Sequence, residues 1–78
     1  MAMFKEGSFV QVTALVVVSM ADPSNMRYEQ YAFRVDRVLR LEHVGPSRSM
    51  CSDQFGRIGW FPNVVLAAFD VDAFYPFI

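Results

Sequence analysis

The chain has one cysteine, Cys51, and one histidine, His43, and these are the side chains best suited to nucleophilic catalysis. On adjacent strands they could form a nucleophile–base pair, in which the imidazole takes the thiol proton. That chemistry also needs a third group to orient the base and donors for an oxyanion, and the sequence shows no motif for either. One histidine and one cysteine are also too few for a four-ligand zinc site. We therefore expect a protein that is not an enzyme and that uses no metal and no cofactor.

The charged residues give no sign of a phosphate, acid–base or nucleic-acid site. There is no glycine-rich phosphate loop, and Asp70 and Asp72 are expected to be solvated spacers. The seven basic residues are scattered and the formal net charge is −1, whereas nucleic-acid-binding domains carry a basic stripe. A small barrel that binds nucleic acid would need such a basic face, so we expect no nucleic-acid partner.

The composition indicates one small domain with more apolar surface than its size requires. Of the 78 residues, 54% are apolar, against about 45–50% in typical soluble domains. Such an excess suggests apolar surface that a partner or the chain's own ends cover. The longest apolar run, Ala14–Val18, is too short to cross a bilayer, and Cys51 has no disulfide partner in the chain. We expect an intracellular domain, in the cytoplasm or on the cytoplasmic face of an organelle, with no direct membrane insertion.

Strand patterns dominate, and no window combines the apolar spacing and the caps of a helix. β-branched residues fill Phe9–Val18, and alternation along Tyr31–Leu41 is interrupted at Asp36-Arg37, which predicts a hinge there. Glycine, proline and polar residues predict a loop at 45–47 and a turn at 53–56. The sequence therefore predicts an all-β small barrel of five short strands, over Phe9–Val18, Tyr31–Leu41, Met50–Ser52, Arg57–Phe61 and Val64–Ala68.

The most distinctive stretch is Gly59-Trp60-Phe61-Pro62. A glycine within a strand lets a side chain of the neighbouring strand lie over its backbone. Phe61 is expected to point into the core and Trp60 to the opposite face. Pro62 cannot donate to a ladder, so it should end the strand and start a tight 3₁₀ turn.

This stretch and four others, taken in chain order, resemble an SH3 domain from about Phe9 to Ala68. The resemblance implies an SH3-like five-stranded small barrel at 9–68, an N-terminal flank at 1–8 and an apolar C-terminal extension at 69–78. It also implies a long RT loop, from Ser19 to Gln30. The features that carry it are Ala14-Leu15, Asp22-Pro23, Tyr31-Ala32-Phe33, the pair Leu39 and Leu41, and Gly59-Trp60-Phe61-Pro62.

The family binds proline-rich peptides in an aromatic groove, and this chain departs from that groove. Val16 and Val18 stand in place of its two tyrosines, Met50 in place of its tryptophan and Val65 in place of its last tyrosine; only Pro62 remains. Valine has no planar face on which a proline ring can stack, so we expect no useful affinity for ordinary PxxP peptides. The residues that the resemblance implies for partner binding are Val16, Val18, Asp22, Met26, Tyr28, Glu29, Met50, Trp60, Pro62 and Val65.

The last ten residues contain four aromatics, which is too apolar for a solvated tail. They could pack over the barrel and cover the aliphatic groove, join a neighbouring domain or second chain, or be loose. We hypothesise that the groove became aliphatic because it holds the tail aromatics Phe69, Phe74 and Phe77.

Together these patterns predict a non-catalytic protein-interaction module of a larger scaffold, an atypical SH3 domain. Its ligand is expected to be an apolar or aromatic motif of a protein partner, or its own flanking segment. The alternative is a structural barrel for dimerisation or assembly, such as a homodimer, with no transient peptide ligand.

Overall fold

A computed structural model describes residues 4–69 of the chain. These residues form antiparallel strands and one short 3₁₀ turn, with no α-helix among them, so the all-β prediction is confirmed. The elements are β1 (Phe9–Val12), β2 (Val16–Asp22), β3 (Arg27–Phe33), β4 (Val38–His43), β5 (Arg48–Ser52), β6 (Ile58–Pro62), the 3₁₀ turn (Asn63–Val65) and β7 (Leu66–Phe69).

The strands form one sheet in the order β3-β2-β6-β5-β4-β1-β7. Within the described residues there are thus seven strands rather than five, and the end strands β3 and β7 do not pair, so the sheet is not a closed barrel. The hinge predicted near Asp36-Arg37 is confirmed, since it separates β3 from β4 and Asp36 has a φ of 75°. The turn predicted at 53–56 is also confirmed, and Gly56 takes a φ of 80° there.

The extra strands come from two segments whose secondary structure differs from the prediction: one predicted strand is broken, and one predicted loop forms strands. The run Phe9–Val18 is broken between β1 and β2, just after Val12, where the Thr13 N–H donates to the Val65 carbonyl at 2.8 Å. The expected loop Ser19–Gln30 is instead most of a hairpin, in which β2 and β3 pair from Val16↔Phe33 to Asp22↔Arg27. The hairpin turns at Met26, which has a φ of 59°.

The core lies on one face of the curved sheet. Phe61 is fully buried, and its ring packs edge to face on Phe33 with centroids 5.0 Å apart. A β-carbon at Gly59 would stand 2.9 Å from Cγ1 of Val18, so the predicted close approach over this glycine is confirmed. The buried apolar residues are Val10, Val12, Val18, Met20, Phe33, Leu39, Leu41, Cys51, Phe61 and Leu66.

The two ends of the described chain are both attached to the sheet. Phe4 packs against the core, and the Gly7 N–H donates to the Leu41 carbonyl at 2.8 Å. At the other end, Phe69 is the last residue of β7 and lies opposite Phe9. The remaining tail residues of the sequence hypothesis, Phe74 and Phe77 among them, lie outside the described residues.

Candidate interaction surface

Two adjoining clefts lie on the outer face of the sheet, around Trp60. The first has a volume of about 390 Å³ and the second of about 100 Å³, and Ser19, Tyr28 and Trp60 line both. The clefts and their walls are called the Trp60 surface below. The first is lined by Val17, Val18, Ser19, Tyr28, Gln30, Arg48, Trp60 and Pro62, and the second by Ser19, Ala21, Tyr28, Met50, Ile58, Gly59 and Trp60.

Strand alternation explains why these side chains share a face. Phe61 and Gly59 of β6 are buried, so Trp60 between them must point outward, as predicted. In β5, Met50 lies opposite Trp60 and Arg48 opposite Pro62, which puts all four on the outer face. The antiparallel ladders thus bring residues distant in sequence onto one surface.

Trp60 is held on one side and open on the other. Its ring meets the His43 ring edge to face, with centroids 5.9 Å apart, and 47% of the residue is exposed. His43 lies 3.3 Å from Glu6, whose carboxylate also accepts the Val44 N–H. Glu6 of the N-terminal segment therefore holds the His43 ring against one side of Trp60. The side of Trp60 that faces the clefts stays exposed.

The polar side chains of the clefts have no partner among residues 4–69. Within residues 4–69, the side chains of Tyr28, Gln30 and Arg48 and the indole N–H of Trp60 make no hydrogen bond or ion pair. Tyr28 is 77% exposed and stands between the two clefts. Aromatic and arginine side chains that combine exposure with unused donors are typical of residues that dominate binding energy in protein interfaces.

The outward-facing residues of β2 differ from those expected. Val18 borders the first cleft, yet it is only 6% exposed and its side chain belongs to the core; Val16 packs partly against that core. Of these two valines predicted for the groove, Val18 borders the first cleft and Val16 borders neither, and their role in partner binding stays a prediction. Val17, 60% exposed, and Ser19 point outward, because strand alternation places them between side chains that face the core.

The 3₁₀ turn places Val65 away from the clefts. Val65 packs partly against the core and lines neither cleft, and its role in partner binding stays a prediction. Val64 is the exposed residue of the turn. The predicted residues that line the clefts are Val18, Tyr28, Met50, Trp60 and Pro62.

Asp22, Met26 and Glu29 line neither cleft. Asp22 accepts hydrogen bonds from the Ser24 hydroxyl at 2.7 Å and the Ser24 N–H at 2.9 Å, which lower the pKa of its carboxyl. Glu29 faces away from Tyr28 and accepts the Tyr31 hydroxyl at 2.9 Å. The Asp22 carboxylate thus bonds within the turn of the hairpin and that of Glu29 within β3, and Met26 is exposed at the turn.

Sequence reasoning missed more than half of the residues that line the clefts, namely Val17, Ser19, Ala21, Gln30, Arg48, Ile58 and Gly59. The signal for the β2 residues was present in Gly59. Because a glycine in a central strand calls for large side chains over it, Val18 and Met20 had to face inward and their neighbours outward. No comparable feature of the sequence indicates that Arg48 lies at the first cleft.

A cleft of about 490 Å³ lies between the hinge and the 53–57 turn. Its Arg57 is already paired, since the guanidinium lies 2.6 Å from the Asp53 carboxylate and 4.0 Å above the Tyr31 ring. This arrangement ties the turn to β3 and leaves Arg57 less available to a ligand.

The cysteine and the histidine do not form a nucleophile–base pair. In the β4–β5 ladder Cys51 lies opposite Leu41 and His43 opposite Met50, so the thiol points into the core and the imidazole to the outer face. Burial, with a smaller contribution from Glu42, raises the pKa of the Cys51 thiol to about 12. Residues 4–69 also contain no cluster of three His, Cys, Asp or Glu side chains that could bind a metal ion, and no helix in them is long and apolar enough to cross a membrane.

Comparison of the chain with family models, with curated proteins and with solved structures found no match in any of the three.

Proposed function

We propose that this chain is a non-catalytic protein-interaction module, an atypical SH3 domain of a larger scaffold. In this proposal it binds an extended apolar segment of a partner protein at the Trp60 surface. The observation that carries the proposal is the pair of adjoining clefts divided by Tyr28 and Trp60, whose polar atoms have no partner among residues 4–69. Concave apolar surface with a few convergent polar groups is the usual form of a recognition site.

The order of the elements supports the SH3-like part of the proposal. A long hairpin, β2–β3, stands where the RT loop would be, and a hinge follows it. Strands β4, β5 and β6 then pair in sequence, and a 3₁₀ turn after Pro62 leads into the last strand. This is the succession that the sequence resemblance implies, with the hairpin counted as two additional strands.

The side chains of the clefts support a ligand other than a PxxP peptide. Val17 and Val64 are the exposed residues near the positions where the family has tyrosines, and neither offers a planar face. Tyr28 and Trp60 remain as aromatic walls, and each borders both clefts. Separate clefts on either side of these rings suit two apolar side chains of an extended segment, one in each.

The test is an isotope-labelled full chain, titrated with peptides selected on it from a random library and followed by NMR. We expect amide shifts at the residues that line the two clefts. Trp60→Ala and Tyr28→Ala should each weaken binding about tenfold. Met26→Ala is the matched control, because Met26 is 83% exposed and lines neither cleft, and it should bind like wild type.

Two results would contradict this proposal. Selected peptides whose binding is unchanged by Trp60→Ala and Tyr28→Ala would place recognition elsewhere. Micromolar binding of ordinary PxxP peptides, with shifts around Pro62, would contradict the exclusion of that ligand class.

A structural dimerisation module is the second candidate, and the exposed edge of the sheet favours it. Strand β3 is an end strand, and its residues Arg27–Gln30 are all exposed. An unpaired edge can add the edge strand of a second copy. Light scattering on the isolated chain separates the candidates: an obligate dimer favours assembly, and a monomer that binds selected peptides favours recognition.

A further inference from the structure

The charge of the Trp60 surface is the reverse of what the sequence resemblance implies. An SH3 groove uses carboxylates of the RT loop to pair with a basic ligand residue, and the segment Ser19–Gln30 of this chain contains two carboxylates, Asp22 and Glu29. Neither lines the clefts. Asp22 accepts a hydrogen bond from Ser24, and Glu29 accepts one from Tyr31. Among the described residues that line the two clefts, the charged one is Arg48.

Arg48 is available to a ligand. It is exposed on the outer face of β5, opposite Pro62, and it forms no ion pair within residues 4–69. Glu6, the carboxylate on the His43 side of Trp60, is engaged by His43 and by the Val44 N–H. The guanidinium at the Pro62 end of the first cleft is therefore a cation without a counterion in the described chain.

The neutral polar groups of the first cleft add hydrogen-bond donors. The Trp60 indole donates only, and the Gln30 amide and Tyr28 hydroxyl can donate. A site that combines these groups with an arginine suits a ligand rich in acceptors, and arginine binds a carboxylate through two parallel hydrogen bonds.

We propose that the partner segment carries an aspartate or glutamate that pairs with Arg48, beside apolar side chains seated in the clefts at Trp60. This inference rests on the proposed function. Arg48 and Met50 are two residues apart in β5, and Trp60 lies opposite Met50. Two strand residues span about 7 Å, so in an extended ligand the acidic residue lies about two positions from the apolar anchor.

The test is selection of random heptapeptides on the full chain, in parallel on wild type, Arg48→Glu and Arg34→Glu. Arg34 is exposed and lines neither cleft, so Arg34→Glu is the matched control for charge. We expect wild type and Arg34→Glu to enrich an acidic residue about two positions from an apolar one. Arg48→Glu should lose that preference and enrich Lys or Arg in its place.

The dissociation constants of a selected peptide and of its Asp→Asn or Glu→Gln counterpart then measure the strength of the pair between Arg48 and the acidic residue. On wild type, the neutral peptide should bind about 3- to 10-fold more weakly than the acidic peptide. On Arg48→Glu, the neutral peptide should bind no more weakly than the acidic one. The advantage of the acidic peptide should shrink between about 0.05 and 0.5 M salt, because exposed charge pairs are screened.

The outcomes distinguish this inference from the proposed function. Apolar peptides that bind at Trp60 without an acidic preference, or with one that Arg48→Glu leaves unchanged, overturn the inference alone. Failure to enrich any peptide on wild type and on every variant overturns both. A fourth selection, on the variant Asp70→Asn/Asp72→Asn, tests the chain's own acidic tail: enrichment there but not on wild type would show that the ligand is the tail and would overturn a partner as its source.

Discussion

The side chain of Val18 lies over the backbone of Gly59, so that a β-carbon at Gly59 would stand 2.9 Å from Cγ1 of Val18. This contact decides which face of β2 is exposed. With Val18 inward, Val17 and Ser19 must point outward, and they become part of the first cleft. The absence of a side chain on one strand thus determines which side chains of its neighbour can bind a ligand.

Gly59→Ala should destabilise the fold by about 1–3 kcal/mol, since the new methyl group would overlap Val18 and stand 2.9 Å from the Ser19 carbonyl oxygen. Urea unfolding, monitored by Trp60 fluorescence, measures the change. Ser19→Ala is the matched control on the facing strand and should change stability by less than about 0.5 kcal/mol. A Gly59→Ala variant as stable as wild type would show that the strands are not so closely packed.

Val17→Ala and Val18→Ala form a pair that tests the alternation of β2. Val18 is 6% exposed and Val17 is 60% exposed, so Val18→Ala should cost about 2 kcal/mol in unfolding free energy and Val17→Ala less than about 0.5 kcal/mol. Peptide binding should respond in the opposite way, with Val17→Ala weakening it in a chain of unchanged stability. Equal losses of unfolding free energy in the two variants would contradict the arrangement in which Val18 faces the core and Val17 faces outward.

Ser49 is the buried polar residue of the core, and it connects the 44–47 loop to the 3₁₀ turn. Its hydroxyl donates to Oδ1 of Asn63 at 2.6 Å, and Nδ2 of Asn63 donates to the Gly45 carbonyl at 2.9 Å. Ser49→Ala leaves the Asn63 oxygen without its donor, so we expect a loss of about 1–3 kcal/mol in chemical denaturation. Ser52→Ala, which removes an exposed hydroxyl from the same strand, is the control and should cost much less.

The parts of the fold that the sequence predicts are those in which local chemistry and packing agree. Gly59-Trp60-Phe61-Pro62 is one such part, because a glycine, an inward aromatic and a proline each admit few positions in a strand. The hinge at Asp36 and the turn ending at Gly56 are others, and both have a positive φ.

The parts that it does not predict depend on pairing between distant segments. The β2–β3 hairpin contains polar residues such as Ser19 and Gln30, which are typical of loops, and it becomes a strand pair through its ladder. The facing of β2 depends on its pairing with β6, where Val18 lies over the backbone of Gly59. Arg48 joins the clefts because β5 pairs with β6, and nothing in its neighbours along the chain indicates that.

Stability should fall at high pH because of Cys51. Burial raises the pKa of its thiol from 9.0 to about 12, so between these values the unfolded chain releases a proton that the folded chain retains. Fewer protons bound in the unfolded state mean that the unfolding free energy decreases as pH rises, at up to about 1.4 kcal/mol per pH unit. The stabilisation is fully present below pH 9 and is lost as pH approaches 12.

Urea unfolding at a series of alkaline pH values checks this, with Cys51→Ala as the comparison. The variant is expected to be less stable near neutral pH, because it leaves a cavity, but to lose less stability from each pH unit above 9. Tyrosine and lysine titration is common to both chains, so the difference in slope isolates the thiol. Thiol labelling adds a second readout: a thiol with 0% exposure should react only when the chain opens, and rapid labelling of the native chain would contradict its burial in the core.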